Sequence, residues 1–177
     1  IGLGLIGQLT VLLLQAAGVE PLGIDIDPVQ VAAACKLGGC QAWPRNEPGL
    51  EMQVLTATRG HGADAVIITA GTSSLDPIEL AGVLCRKKGK VVIVGAVPTG
   101  FSRANYYRKE LDLRMSASYG PGRYDPLYEE KGIDYPIGYV RWTEQRNMQA
   151  YLDLLAAKKI DVAPLITHVF SFEKAAQ

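Results

Sequence analysis

The residues best placed to do chemistry stand at the start of the chain. Gly2-Leu3-Gly4-Leu5-Ile6-Gly7 forms a G-x-G-x-x-G ladder, and a carboxylate, Asp25, follows 23 residues after Gly2. In such a ladder the first glycine permits a tight turn out of a strand. The second lets the backbone approach a pyrophosphate, and the third brings helix and strand together. A helix beginning at the ladder points free N–H groups and its positive dipole end at the phosphates. The ladder alone is a weak signal; an acid at the end of the next strand, about twenty residues on, is the context that raises it. A carboxylate at Asp25 can accept both hydrogen bonds of an adenosine ribose diol and repels a 2′-phosphate. No Arg or Lys follows it until Lys36, so the expected cofactor is NAD(H), with Ile26 beside the acid. Asp27 reads as a helix cap.

Side chains that could themselves catalyse are scarce. His61 lies in a glycine-flanked turn and is expected at the surface. His168 lies in an apolar tail and is expected as a satisfied core or edge residue. Tyr106 and Lys109 are three apart, not four, and no nucleophile elbow or Ser/His/Asp set occurs. Cys35, Cys40 and Cys85 are odd in number and lack a zinc-ligand spacing. They fit a reducing, cytoplasmic compartment, and neither a catalytic nor a metal residue is assigned. Eighteen basic and eighteen acidic residues cancel, which argues against a nucleic-acid or membrane partner. The apolar runs are too short to span a bilayer.

Elements that would position these residues alternate regularly as far as residue 118. Helix is expected over Ile6–Ala17, stopped by Gly18. The run Pro21–Ile26 follows, then a helix opened by Asp27-Pro28, with Gln30 placed to reach back, and closed by Gly38-Gly39. Gln41–Trp43 reads as extended, Leu50–Thr58 as helix, Ala65–Thr69 as buried strand, and Leu75–Cys85 as helix. Lys90–Val94 is a second buried strand, and Leu111–Ser118 one nearer an edge. Arg86, Lys87, Lys88 and Lys90 read as helix C-terminal charges. Short, continuous apolar strands each followed by a helix imply a parallel sheet covered on both faces. The expectation is an α/β, doubly wound Rossmann sheet in three α/β/α layers. Its first strand would be represented mainly by Ile1, leaving a slot between the two halves. Ligands in such sheets bind beyond the carboxyl ends of the strands. The small residues there are Thr69-Ala70-Gly71, Gly95-Ala96, and Ser118 with Tyr119-Gly120.

Residues 119–142 break the beat with five tyrosines, four glycines and three prolines. Loops this long are usually functional or contact a neighbour. Thr143 is then expected to cap a helix to about Lys159, and the tail to form one strand and begin another helix.

"GLGLIGQL", "GIDID", "GADAVIITAG", "GKVVIVGAV" and "PLITHVFSFEKA" resemble, in order and spacing, the coenzyme-binding domain of the medium-chain, zinc-type alcohol dehydrogenase superfamily. The resemblance covers most of residues 1–118 and the tail from Pro164. It implies that Gly2, Gly4, Leu5, Ile6 and Gly7 cradle the pyrophosphate and Asp25 holds the adenine ribose. Thr69, Ala70, Gly71, Val94, Gly95, Ala96, Ser118 and Tyr119 would line the nicotinamide end. It also implies one dinucleotide-binding domain over 1–177, a GroES-like catalytic domain outside this sequence, and pairing of subunits through the outer strand. Zinc, if the intact enzyme holds it, would be bound elsewhere. The region from Ser118 to Leu155 is similar to that of bacterial two-module oxidoreductases with a Gfo/Idh/MocA-like half. The expected function is the NAD(H)-binding part of an oxidoreductase acting on an alcohol or carbonyl, a polyol or sugar derivative. A non-catalytic nucleotide-sensing module is the alternative, and a methyltransferase binding S-adenosylmethionine a third.

Overall fold

The computed structural model describes residues 1–37 and 40–174; the Gly38-Gly39 helix stop lies outside these residues. From Gly4 the chain enters α1 (Leu5–Ala16), then β1 (Leu22–Asp25), α2 (Pro28–Lys36), β2 (Gln41–Pro44) and α3 (Leu50–Ala57). It continues through β3 (Ala63–Ile68), α4 (Asp76–Leu84), β4 (Cys85–Ile93), α5 (Arg103–Lys109) and β5 (Asp112–Met115). The short α6 (Pro126–Glu129) and the longer α7 (Glu144–Ala156) follow.

All strand pairs are parallel: β1 pairs with β2, and β3, β4 and β5 lie side by side in that order. The first residues of the chain join the two groups. Ile24 O accepts from Gly2 N at 2.8 Å, while Thr69 N donates to Ile1 O at 2.8 Å and the Ile1 amino group donates to Ile67 O at 2.7 Å. Ile1 and Gly2 therefore stand between the ends of β1 and β3. Toward the starts of those strands lies a cavity of about 440 Å³, lined by Val11, Leu14, Leu22, Val54, Val66 and Leu84 among others.

Helices cover both faces. A Cβ on Gly23 would meet Leu3 and Ala42, members of the cluster that Val11 of α1 and Val31 and Ala34 of α2 complete. The next residue, Ile24, joins the other cluster, with Leu50 and Val54 of α3, Ile78 and Ala81 of α4, and Tyr106 of α5. Alternate residues of a strand point to opposite faces, so the sheet is the middle of three layers. Ile68, Val91 and Ile93 sit at its centre, fully buried, as their uninterrupted apolar runs require.

Local detail departs from expectation in five places. Asp27 does cap α2, its Oδ1 accepting from Val29 N at 2.8 Å, but Gln30 does not reach back; its Oε1 accepts from Gln8 Nε2 at 3.0 Å. Arg86–Lys90 do not end a helix. α4 stops at Leu84, and β4 makes an excursion between Cys85, opposite Ala63, and Lys90, opposite Ala65. Arg86 pairs with Asp64 at 2.5 Å and Lys88 with Glu110 at 3.1 Å. The cation at the end of α4 is Lys109, whose Nζ donates to the carbonyls of Gly82, Val83 and Cys85 at 2.6–2.9 Å.

Thr143 occupies the N-cap position of α7, yet its side chain caps nothing, and its buried Oγ1 has no partner. Among the described residues the tail forms no strand: Ala163–Leu165 and Phe172–Lys174 are 3-10 turns with irregular backbone between. His168 is consequently exposed, beside the Thr167 hydroxyl and stacked on Phe170.

Residues 119–147 are held by their own polar contacts. Arg146 binds Asp134 at 2.6 Å and the Tyr135 carbonyl at 2.7 Å, Tyr128 stacks on Tyr135, and Arg123 pairs with Glu129 at 2.5 Å.

Candidate functional site

The glycine turn lies at the carboxyl ends of β1 and β3, and three glycines are fixed there by contact. Gly2 has φ +93°, a conformation that L side chains rarely adopt, and a Cβ on it would stand 2.6 Å from Ala70 N. A Cβ on Gly7 would collide with Gly2 O and lie 2.8 Å from Gly2 C, so α1 can rest on the turn only as glycine. One on Gly95 would collide with Ala70 O. The end of β3 is tied down as well, since the Thr69 hydroxyl donates to Gly2 O at 2.6 Å.

Gly4 differs from these. A Cβ there would meet no protein atom within 4 Å, and its φ of −62° suits any residue. Packing does not require this glycine; open space above the backbone is what it provides. Gly4 is also the N-cap of α1, and no side chain caps the first turn. The N–H groups of Leu5, Ile6 and Gly7 have no intrahelical acceptor by position, and the side chains of Leu5 and Ile6 are exposed. The arrangement fits a pyrophosphate.

Asp25 ends β1 beside this cradle. Its Oδ2 accepts from Leu3 N at 2.5 Å and its Oδ1 from Asp27 N at 2.8 Å. Those two bonds fix the carboxylate against the glycine turn, and each oxygen keeps a further lone pair for a hydroxyl donor. Ile26, the next residue, is 82% exposed. The structure thus brings Gly2, Gly4, Gly7, Asp25, Thr69, Ala70 and Gly95 to one edge. Gly95 N and Val94 N both donate to Ile68 O at 2.9 Å, and Thr72 N donates to Ala96 O at 2.9 Å, which draws the Gly71 and Ala96 turns together.

Ser118 and Tyr119 lie farther along, beyond the end of β5. Ser118 is exposed with φ +42°. Tyr119 accepts from Asn147 Nδ2 at 2.9 Å through its carbonyl, and its ring faces Arg123. Among the described residues no hydrogen bond ties either one to the glycine turn.

One charged residue at this edge is absent from the sequence reading. Arg45 follows β2, and its N–H donates to Asp25 O at 2.7 Å. Its guanidinium makes a two-point bond to Asp76, with Nε to Oδ2 at 2.8 Å and Nη2 to Oδ1 at 2.6 Å. Those bonds hold its pKa above the ordinary value. Pairing of β1 with β2 sets Pro44 opposite Asp25; the signal in the sequence is the cation directly after an extended "QAWP".

Among the described residues no three His, Cys, Asp or Glu side chains gather as a metal site, and no helix is long and apolar enough to cross a membrane. Burial pushes the Cys40 thiol up to about 11 and raises that of Cys85.

Residues 6–131 match the family described as zinc-binding dehydrogenase. No curated protein matches the chain significantly. Among solved structures the chain is similar to an alcohol dehydrogenase from Thermus sp. ATN1, with 23% identity over 98% of this chain and 44% of that one at a TM-score of 0.69. It is also similar to a short-chain alcohol dehydrogenase from Escherichia coli CFT073 complexed with NADH, with 20% identity, 99% and 44% coverage and a TM-score of 0.71. A quinone oxidoreductase from Pseudomonas syringae pv. tomato DC3000 gives 19% identity, 91% and 45% coverage and a TM-score of 0.63. The chain spans less than half the length of each of these structures, and identities this low speak to a shared fold.

Proposed function

The chain belongs to the zinc-binding dehydrogenase family, and from that premise we propose that it is the NAD(H)-binding part of an oxidoreductase acting on an alcohol or carbonyl group. The observation that carries this reading is the pairing of an uncapped α1 N-terminus under open Gly4 with a carboxylate fixed beside it at Asp25. Phosphates suit the first element and a ribose diol the second.

NAD(H), when bound, supplies the hydride chemistry. This chain's residues bind and orient. The N–H groups of Leu5, Ile6 and Gly7 hold the pyrophosphate, with Gly2 and Gly4 shaping the turn. Asp25 holds the adenosine ribose, with Ile26 at its side. Thr69, Ala70, Gly71, Val94, Gly95 and Ala96 line the path toward the nicotinamide, and Ser118 and Tyr119 bound its far end. A polyol or sugar derivative as substrate, zinc held by another part of the enzyme and a cytoplasmic location belong to the same proposal. So does pairing of two chains along the β5 edge, where Leu113 and Met115 are exposed. A two-module protein with a Gfo/Idh/MocA-like half draws its support from the resemblance of residues 118–155 alone; the family match ends at residue 131.

The test is a thermal-shift comparison of NADH, NADPH and S-adenosylmethionine on the chain. NADH should stabilise it most. A larger shift with S-adenosylmethionine, or none with either dinucleotide, would sink the reading.

A further inference from the structure

Arg45 is brought to the ribose acid by the fold, not by its place in the sequence. Its backbone N–H is bonded to Asp25 O, so the two residues are neighbours across β1 and β2 at the carboxyl edge. Both nitrogens that face Asp76 are engaged, one on each carboxylate oxygen. A guanidinium fork matches a phosphate as well as it matches a carboxylate. The cation that follows β2, bonded through its backbone to Asp25, is therefore of the kind that binds a ribose 2′-phosphate, yet it is taken up by an acid from the first turn of α4. Glu51, in the first turn of α3, adds to the negative field at the guanidinium. Both side chains of the pair are partly exposed, at 38% and 44%. An ion pair in that setting is a modest hold, so a phosphate must compete with the Asp76 carboxylate for the fork and gains less from it than from a free guanidinium.

Resting on the reading of Asp25 as the ribose acid, we propose that Asp76 is a specificity-determining residue. It occupies Arg45 and so denies the chain a partner for a ribose 2′-phosphate, adding to the repulsion from Asp25. Selection of NAD(H) over NADP(H) then has two parts: a carboxylate that repels the phosphate and a cation withheld from it.

The experiment titrates NADH and NADPH into the full chain, following the fluorescence of the reduced nicotinamide, so that no catalysis is needed. The variants are Asp76→Asn, Asp25→Asn, the double Asp25→Asn/Asp76→Asn, and the double with Arg45→Met added. The parent should bind NADH more tightly than NADPH. Asp76→Asn alone should raise NADPH affinity about threefold and leave NADH affinity unchanged. It does not touch Asp25, whose carboxylate holds two backbone N–H groups, and so it reads the proposal even where Asp25→Asn fails to fold.

Adding Asp76→Asn to Asp25→Asn should raise NADPH affinity about tenfold, the worth of one charge-assisted hydrogen bond. Arg45→Met should erase that gain. No gain from Asp76→Asn in either background overturns the proposal, whether or not the guanidinium has turned to Glu51. A gain that survives Arg45→Met overturns it as well. A parent that binds NADPH as well as NADH, or neither, removes the reading of Asp25 on which the proposal rests, and that outcome is visible before any variant is made.

Discussion

Gly4 and Gly7 stand three residues apart in the same ladder, and the structure gives them opposite jobs. Replacing each by alanine separates binding from folding. At Gly4 the added Cβ meets no protein atom, and φ −62° with ψ −169° is open to alanine. Stiffening the unfolded chain contributes about 0.4–1 kcal/mol, and loss of a tolerable N-cap costs about as much. Gly4→Ala should therefore change stability by less than about 1 kcal/mol, or under about 4 °C in midpoint for a chain this long. At Gly7 alanine gains about 1 kcal/mol of helix propensity. Its Cβ, however, collides with Gly2 O and reaches 3.1 Å from Thr69 Oγ1. Backbone on both sides must move, and overpacking of that kind costs about 1–3 kcal/mol or more. It also strains the Thr69 bond to Gly2 O. With that bond worth about 1 kcal/mol, the net loss after the helix gain is about 1–3 kcal/mol, and a midpoint lower by about 2–12 °C is expected for Gly7→Ala. NADH affinity should fall at least tenfold for Gly4→Ala, since a methyl group stands where phosphate oxygens would meet the first-turn N–H groups. Differential scanning calorimetry and NADH fluorescence titration measure the two quantities. A Gly4→Ala chain that binds NADH as the parent does would refute the cradle, and a Gly7→Ala chain of unchanged midpoint would refute the packing argument.

Three other sites in the molecule give measurable outcomes. Lys109→Met removes three hydrogen bonds to the carbonyls that end α4; a charged donor's bonds carry about 2 kcal/mol, so the midpoint should drop by about 4–8 °C, read by calorimetry. Thr143→Val should leave stability unchanged or raise it by about 1 kcal/mol, because it replaces a fully buried hydroxyl that has no partner with a methyl of like size; urea unfolding measures it. Of the thiols, Cys35 alone is exposed, and Cys40, with its pKa pushed up to about 11, is thiolate for only about one molecule in a thousand at pH 8. Iodoacetamide at that pH, followed by mass spectrometry, should label Cys35 and spare Cys40 and Cys85.

What the sequence makes legible is what short-range pattern determines. Val66–Ile68 and Val91–Ile93 are apolar on both faces, and only a sheet covered twice accommodates them. Gly2, Gly7 and Asp25 carry their geometry in residue type and spacing. Features that depend on distant partners are not legible. The basic run Arg86–Lys90 looks like a helix end, but its charges answer Asp64 and Glu110, and the true cap of α4 comes from Lys109. Arg45 is twenty residues from Asp25 in sequence and adjacent to it only through strand pairing. The apolar tail reads as a strand, yet none of the described strands pairs with it, and Val169 and Phe172 are exposed. Thr143 has the right residue type for a cap but is buried with its hydroxyl turned away from that role.

The central claim is that a dinucleotide lies across this edge of the sheet, and a crystal structure of the chain grown with NADH tests it most directly. The account predicts the pyrophosphate over Gly4, within hydrogen-bond distance of the Leu5–Gly7 N–H groups, and both hydroxyls of the adenosine ribose on Asp25. A ribose that does not touch Asp25, or NADH seated in the cavity between β1 and β3 instead, would contradict it.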